Sequence, residues 1–265
     1  MNSVILFLLL ILPAISYGSV NHEFLKLNDS NNKIEIYWDK PEGVGPWPLL
    51  ILLHPHQEWP DKIGSEVFVK NKSIEAWTKN NFVTVAISMP GYGNTDGISD
   101  FCGPQSQKAV EDVITYFVNK PIIKKNKVFL YGGSRGAVIA ALLATRNQYA
   151  GVILKSGLYD FEGAYDSLPW YSSIKLTMIW ELGFNNREKL KERTVLPLAE
   201  KIKSPLLIIH GLEDDRASFD VAKAFAEKVK NSENQVEFIS LESEHFIPMD
   251  KIKPYMEDFL KGILR

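Results

Sequence analysis

Residues 127–137 read Lys127-Val128-Phe129-Leu130-Tyr131-Gly132-Gly133-Ser134-Arg135-Gly136-Ala137, and this stretch decides the fold. Its first five residues form a short apolar run of strand character, and residues 135–146 continue with a helical pattern. The G-x-S-x-G pattern therefore falls at a strand-to-helix junction. A serine there occupies a strained turn, and the positions flanking it must be tiny for strand and helix to approach without a clash. Gly132 and Gly136 meet that need. A helix start that merely holds an anion is the competing explanation, because helix N-termini attract negative charge. The choice depends on whether suitable partners follow in the chain.

On either side, strand-like runs alternate with helical patterns. The predicted strands are residues 33–38, 49–54, 82–88, 127–131, 151–155, 205–210 and 235–241. The predicted helices are residues 66–80, 106–119, 135–146 and 219–230. In the second helix Val110, Val113, Ile114 and Phe117 recur at helical spacing, while Lys108, Glu111 and Asp112 take the opposite face. Such alternation implies the α/β class, with a mostly parallel twisted sheet and helices on both faces. Several strands are continuous apolar runs, as burial on both faces requires. Residues 158–203 break the rhythm as a small aromatic-rich insertion over one end of the sheet.

Partners do follow. A serine hydroxyl is a poor nucleophile until a positioned base takes its proton, and the base needs a carboxylate to fix its tautomer and stabilise the imidazolium. The apolar run 205–210 leads into Gly211-Leu212-Glu213-Asp214-Asp215, which puts carboxylates at the C-terminal end of a strand, where parallel sheets hold their ligands. The run 235–241 leads into Glu242-Ser243-Glu244-His245-Phe246, so His245 emerges on the same rim. A lone loop histidine is usually an idle surface residue. In third place after an elbow serine and a strand-end aspartate, His245 is the candidate base. Spacing does not choose between Asp214 and Asp215.

The stretch from about Leu49 onward resembles the catalytic domain of the prolyl oligopeptidase family, within the α/β-hydrolase superfamily. The likeness rests on Tyr131-Gly132-Gly133-Ser134-Arg135-Gly136, on residues 205–216 ending His210-Gly211-Leu212-Glu213-Asp214-Asp215-Arg216, and on Glu244-His245-Phe246. It implies an α/β-hydrolase fold and a Ser134-Asp214-His245 triad, because the first Asp of such a pair is the acid in that family. It also implies hydrolysis of a small peptide or ester substrate through an acyl-enzyme, with no cofactor. The β-propeller of the large members finds no space in this chain. A carboxylesterase of the same fold and a non-catalytic binding protein are the alternatives to a peptidase.

Acyl transfer also needs fixed donors for the oxyanion. The N–H of Arg135, next after the nucleophile, is the first expected donor. The second is expected from the loop His54-Pro55-His56-Gln57-Glu58-Trp59, with the N–H of His56 ahead of Gln57. The same loop invites a metal-site reading through His54, His56 and Glu58, but the ligand set is incomplete and no metal is expected. His210 is expected to orient the loop carrying Asp214. Of the insertion's rings, most are expected to pack, with Tyr165 and Trp170 as substrate-pocket candidates. The Gly-rich loop 91–97 suggests no catalytic role.

Among 265 residues, 30 are basic and 32 acidic, for a formal charge of -2. No basic block is denser than pairs such as Lys124 and Lys125, which argues against a nucleic-acid partner. Cys102 stands alone and reads as a small packed hydrophobe. Residues 4–15 are an almost unbroken apolar run ended by small and polar residues, as in a secretory signal peptide. A spanning helix needs about 20 apolar residues, so a membrane anchor is the weaker alternative. Cleavage after Gly18 would leave one domain, residues 19–265, exported to a periplasm or the medium. Oligomeric state is not legible.

Overall fold

The apolar runs assemble into one sheet in the computed structural model, which describes residues 20–26, 32–58, 60–230 and 234–265. The predicted signal peptide, residues 1–18, lies outside the described residues. The strands are β1 (Asn21–Lys26), β2 (Lys33–Asp39), β3 (Trp47–Leu53), β4 (Val83–Ile87), β5 (Ile123–Gly133), β6 (Gly151–Lys155), β7 (Leu206–Gly211) and β8 (Val236–Leu241). Their order across the sheet is β1-β2-β4-β3-β5-β6-β7-β8. Every pairing from β4 to β8 is parallel, while β1 with β2 and β2 with β4 are antiparallel. Sequence pattern alone misses β1. Its Asn-His-Glu-Phe-Leu-Lys run has no apolar continuity, and pairing with β2 along a half-exposed edge is what makes it a strand.

The helices are α1 (Glu66–Lys70), α2 (Ser73–Lys79), α3 (Pro104–Val118), α4 (Arg135–Ala144), α5 (Phe161–Ser167), α6 (Ser173–Leu182), α7 (Arg187–Lys191), α8 (Phe219–Lys230) and α9 (Met249–Leu264). Successive strand residues point to opposite faces, so a continuous apolar run feeds two cores. From β3, Leu49, Ile51 and Leu53 join Val113, Phe117 and Phe225 on the face covered by α3, α4 and α8. Leu50 and Leu52 join Ile74, Trp77, Met256 and Phe259 on the face covered by α2 and α9. Each such side chain contributes roughly 1.5–3 kcal/mol when fully buried.

Two helical predictions change. The single stretch 66–80 divides into α1 and α2 because Lys72 takes a left-handed conformation at φ 60°, and the Asn71 side chain accepts the N–H of Ser73 across the break. No helix is predicted after Phe246, yet α9 buries Ile252, Met256, Phe259 and Leu260 on one stripe. Pro254 obscures that periodicity. It lies inside α9, where it removes one intrahelical bond, to the Asp250 carbonyl, and the apolar stripe holds the helix across that gap. The insertion forms a hood of α5, α6, α7 and a 3-10 turn (Leu196–Lys201) between β6 and β7. Among the described residues, no helix is long and apolar enough to cross a membrane.

Candidate active site

Ser134 links β5 to α4 at φ 50° and ψ -112°, a conformation that a non-glycine residue holds only when its surroundings impose it. The surroundings are close. A Cβ on Gly132 would lie 2.2 Å from the backbone of Gly136, and one on Gly136 would lie 2.2 Å from the carbonyl oxygen of Leu53. Gly133 has ordinary space around it, so the two outer glycines are the ones the turn requires. The N–H of Ser134 donates to the Lys155 carbonyl at 2.8 Å, tying the turn to the end of β6.

Asp214 and His245 come from the loops after β7 and β8, which are laced together. Glu213 donates its N–H to Ser243 O at 3.1 Å, and Gly211 passes so close to the Ser243 carbonyl that a Cβ there would lie 2.3 Å from it. Ser156, at the end of β6, donates its hydroxyl to the His245 carbonyl at 3.0 Å. Neither Ser156 nor Gly211 stands out in the sequence, because one serves a distant backbone carbonyl through its hydroxyl and the other lets backbone pass backbone.

His245 Nδ1 lies 3.0 Å and 2.9 Å from the two Asp214 oxygens, and its Nε2 lies 3.0 Å from Ser134 Oγ. A carboxylate only accepts, so Nδ1 carries the proton and Nε2 keeps a lone pair facing the serine hydroxyl. The Asp214 side chain is fully buried. Burial opposes its charge, but hydrogen bonds from His210 and His245, the nearby His245 charge and the Ala217 N–H outweigh it and hold the carboxyl far below the usual carboxylate range. Asp215 is exposed, so the geometry brings Asp214 alone to His245. His210 Nε2 reaches both Ala217 O at 2.8 Å and Asp214 Oδ2 at 3.2 Å, bracing the Asp214 turn as expected.

The oxyanion candidates also meet here. Arg135 and His56 line the same cavity as Ser134, and the backbone N–H of each has no acceptor among the described residues. Gln57 does not reach the cavity. Its side-chain amide instead clamps both the N–H and the carbonyl of Gly64. His54 Nδ1 lies 2.7 Å from Pro55 O, and its Nε2 accepts the Met89 N–H at 3.1 Å, leaving no lone pair for a metal. Among the described residues no group of three His, Cys, Asp or Glu is placed to hold a metal ion. Cys102 is buried, and burial pushes its thiol up to about 12, so it packs as an inert side chain.

Two pocket expectations are corrected. Trp170 is 75% exposed between α5 and α6, with its ring edge against Tyr171 and away from Ser134. Tyr165 is buried, but it points to the far side of the hood, where its hydroxyl accepts the Asn185 N–H at 2.9 Å. The apolar wall beside Ser134 is instead made by Phe101, Val138, Leu158, Phe161 and Ile174, enclosing about 60 Å³. Phe161 sits one helical turn before Tyr165, and aromatic content alone does not say which ring faces inward.

Behind the elbow lies a polar network that no local sequence pattern marks as a whole. The buried Arg135 guanidinium pairs with Glu181 of α6 at 2.8 Å and stacks 3.8 Å above the Phe101 ring. Its Nη1 also donates to Ser99 Oγ and Tyr92 Oη, both at 3.0 Å. Tyr92 Oη also lies within hydrogen-bond distance of His56 Nδ1, at 2.6 Å. The loop 91–97 therefore supports the site through Tyr92. Glu181, a single charge in the apolar run Met178-Ile179-Trp180-Glu181-Leu182, is the signal the sequence offers for this anchor.

A mostly parallel sheet with an elbow serine, a strand-end aspartate and a loop histidine in that order defines an α/β-hydrolase. Residues 70–260 match the prolyl oligopeptidase family, and the chain belongs to that family as a serine hydrolase. An uncharacterized peptidase of Bacillus subtilis (strain 168), YtmA, is 25% identical over 192 residues, covering 71% of this chain and 74% of that protein. Among solved structures, an acylaminoacyl peptidase of Pyrococcus horikoshii superposes with a TM-score of 0.74 at 18% identity, over 93% of this chain and 44% of that one. A puromycin-hydrolyzing peptidase of Mycobacterium tuberculosis superposes with a TM-score of 0.77 at 16% identity, over 94% of this chain and 40% of that one. This chain thus spans less than half of either of these two structures.

Proposed function

We propose that the chain is a serine peptidase acting on short peptide or aminoacyl substrates through Ser134, His245 and Asp214. The observation that carries this reading is the continuous hydrogen-bonded line from Ser134 Oγ through both His245 nitrogens to the buried Asp214. As Ser134 Oγ attacks the carbonyl carbon, His245 Nε2 takes its proton, and Asp214 stabilises the resulting imidazolium through Nδ1–H. The carbonyl oxygen becomes an anion held by the N–H groups of Arg135 and His56, where one such donor is worth about 2.7–4 kcal/mol. Collapse of this intermediate breaks the bond to the leaving group, which departs with the proton from His245. Water then attacks the acyl-serine, His245 acts as base again, and the acid product leaves with Ser134 restored.

The fold relatives named as peptidases support an amide substrate over a simple ester. The test is hydrolysis of matched aryl esters and aminoacyl or prolyl amides by purified protein, with Ser134→Ala as control. Amide cleavage that depends on Ser134 is the expected result. Cleavage of esters alone would make the chain a carboxylesterase, and turnover equal in Ser134→Ala would remove the catalytic reading. Export is proposed as well, supported by the apolar run at residues 4–15. A mature N-terminus at Ser19, measured by mass spectrometry on protein from outside the cytoplasm, is the expected outcome, and retention of residues 1–18 would overturn it.

A further inference from the structure

We infer that the outer face of α6 forms a second, apolar substrate subsite, which binds a bulky aromatic or aliphatic group on the acyl side of the scissile bond. The inference rests on the proposed acyl transfer at Ser134 and adds a substrate class to it. An open trough of about 600 Å³ lies against the catalytic cavity, and the two share His56, Glu58 and Thr177 as a common ridge. The cavity beside Ser134 encloses only about 60 Å³, so it accepts a small group and a larger one must continue over that ridge. On the far side stand Leu176, Ile179 and Trp180.

Trp180 is 89% exposed and Leu176 48% exposed, one turn apart on α6, among the described residues. Free apolar side chains at this spacing beside a catalytic cavity form a ready contact surface. The wall is also fixed in place. Glu181, next to Trp180, is held by Arg135 at 2.8 Å and by the Phe101 N–H at 3.0 Å, so α6 is tied to the elbow that carries the nucleophile.

The side of the scissile bond follows from His245. His245, Arg216 and Ala217 line the catalytic cavity but not the trough, which lies beyond His56. The leaving group must stand within reach of His245 Nε2 to receive its proton. A group that runs past His56 and away from His245 therefore belongs to the acyl part. The lining carries Glu58, Lys62 and Glu181, and because Glu181 is already paired with Arg135 the remaining two charges are of opposite sign, which suits an uncharged substituent.

The experiment compares 4-nitrophenyl acetate with 4-nitrophenyl 4-phenylbutanoate, which share a leaving group and differ in acyl bulk. Wild-type protein is expected to prefer the phenylbutanoate in kcat/KM. Trp180→Ala is expected to cut that preference about tenfold, mainly through KM, with Trp180→Phe restoring most of it. Trp170→Ala, on the hood but outside the trough, serves as control and should keep the wild-type ratio. An unchanged ratio in Trp180→Ala, with hydrolysis still dependent on Ser134, would overturn the subsite and leave the proposed function standing. If Trp180→Ala instead alters selectivity among acetate esters of differing leaving group, the acyl-side assignment is wrong. Absence of Ser134-dependent turnover on either ester would remove the functional reading beneath it.

Discussion

The catalytic rim and the hood lie next to each other but are specified in different ways. Ser134, Asp214 and His245 each sit in the short loop after a parallel strand, so strand order and backbone pairing deliver them to one place. The hood has no such frame. Its orientation is set by side chains, among them Glu181 on Arg135, Arg193 on the Asp100 and Phe101 carbonyls, and the buried rings of Phe161 and Tyr165. Chemistry is thus held by the sheet, while substrate choice is left to a segment whose position depends on a few side-chain contacts.

If the rim carries the chemistry, the largest losses belong there. Ser134→Ala and His245→Ala are each expected to lower kcat by about 10⁵–10⁶, and the double variant by little more, because the two act as one unit. Asp214→Asn should cost about 10⁴ in kcat, since an amide neither holds the Nδ1–H tautomer nor balances an imidazolium. Steady-state kinetics on the preferred substrate checks both. A loss of less than tenfold in Asp214→Asn would mean that the rim is not acting as a triad.

The hood responds through stability and binding. Glu181→Ala leaves the buried Arg135 charge without its carboxylate, and loss of one partner from a buried pair costs about 3–5 kcal/mol, measured by denaturant unfolding. Some of that loss should appear as a raised KM as α6 loosens. If stability is unchanged, the hood is held by its other contacts, among them the buried Arg193 on the Asp100 and Phe101 carbonyls. At the other extreme, Trp170→Ala at the exposed hood surface should change stability by less than about 0.5 kcal/mol.

Acid provides a test of the scaffold beneath both regions. Burial, with a smaller contribution from the Arg135 charge, pushes His54 down from 6.5 to about 4. As pH falls through this window the unfolded chain binds a proton that the folded chain does not, so stability is full above about 6.5 and declines toward 4. The loss reaches about 3 kcal/mol for a fully buried group. His54→Gln can keep a donor toward Pro55 and an acceptor for Met89 N–H, and should flatten part of this slope in thermal unfolding measured against pH. An unchanged slope would place the acid sensitivity elsewhere.

The same contrast explains what the sequence revealed. Continuous apolar strands, a glycine pair around a serine, and carboxylate and histidine at later strand ends are local patterns, and each has one physical purpose. They allowed the sheet, the elbow and the order of the triad to be read directly. The choice of Asp214 needed the family resemblance, and the geometry agrees because Asp214 is buried on His245 while Asp215 faces solvent. Phe161 and Tyr165 are both aromatic, both on α5 and both buried, and only the packing of α5 tells which one faces Ser134. Tyr92 lay in a loop read by its glycines, and its hydroxyl acquires a role only when folding brings His56 and Arg135 to it. The β1 edge and α9 went unread because pairing and packing override weak local patterns there.

The most direct test of the central claim is covalent labelling with a fluorophosphonate, which reacts with a serine only when a neighbouring base activates it. The expected result is one adduct, mapped by mass spectrometry to the peptide containing Ser134, and its loss in both Ser134→Ala and His245→Ala. Labelling that persists at Ser134 in His245→Ala, or an adduct on another residue of the wild-type chain, would contradict the account.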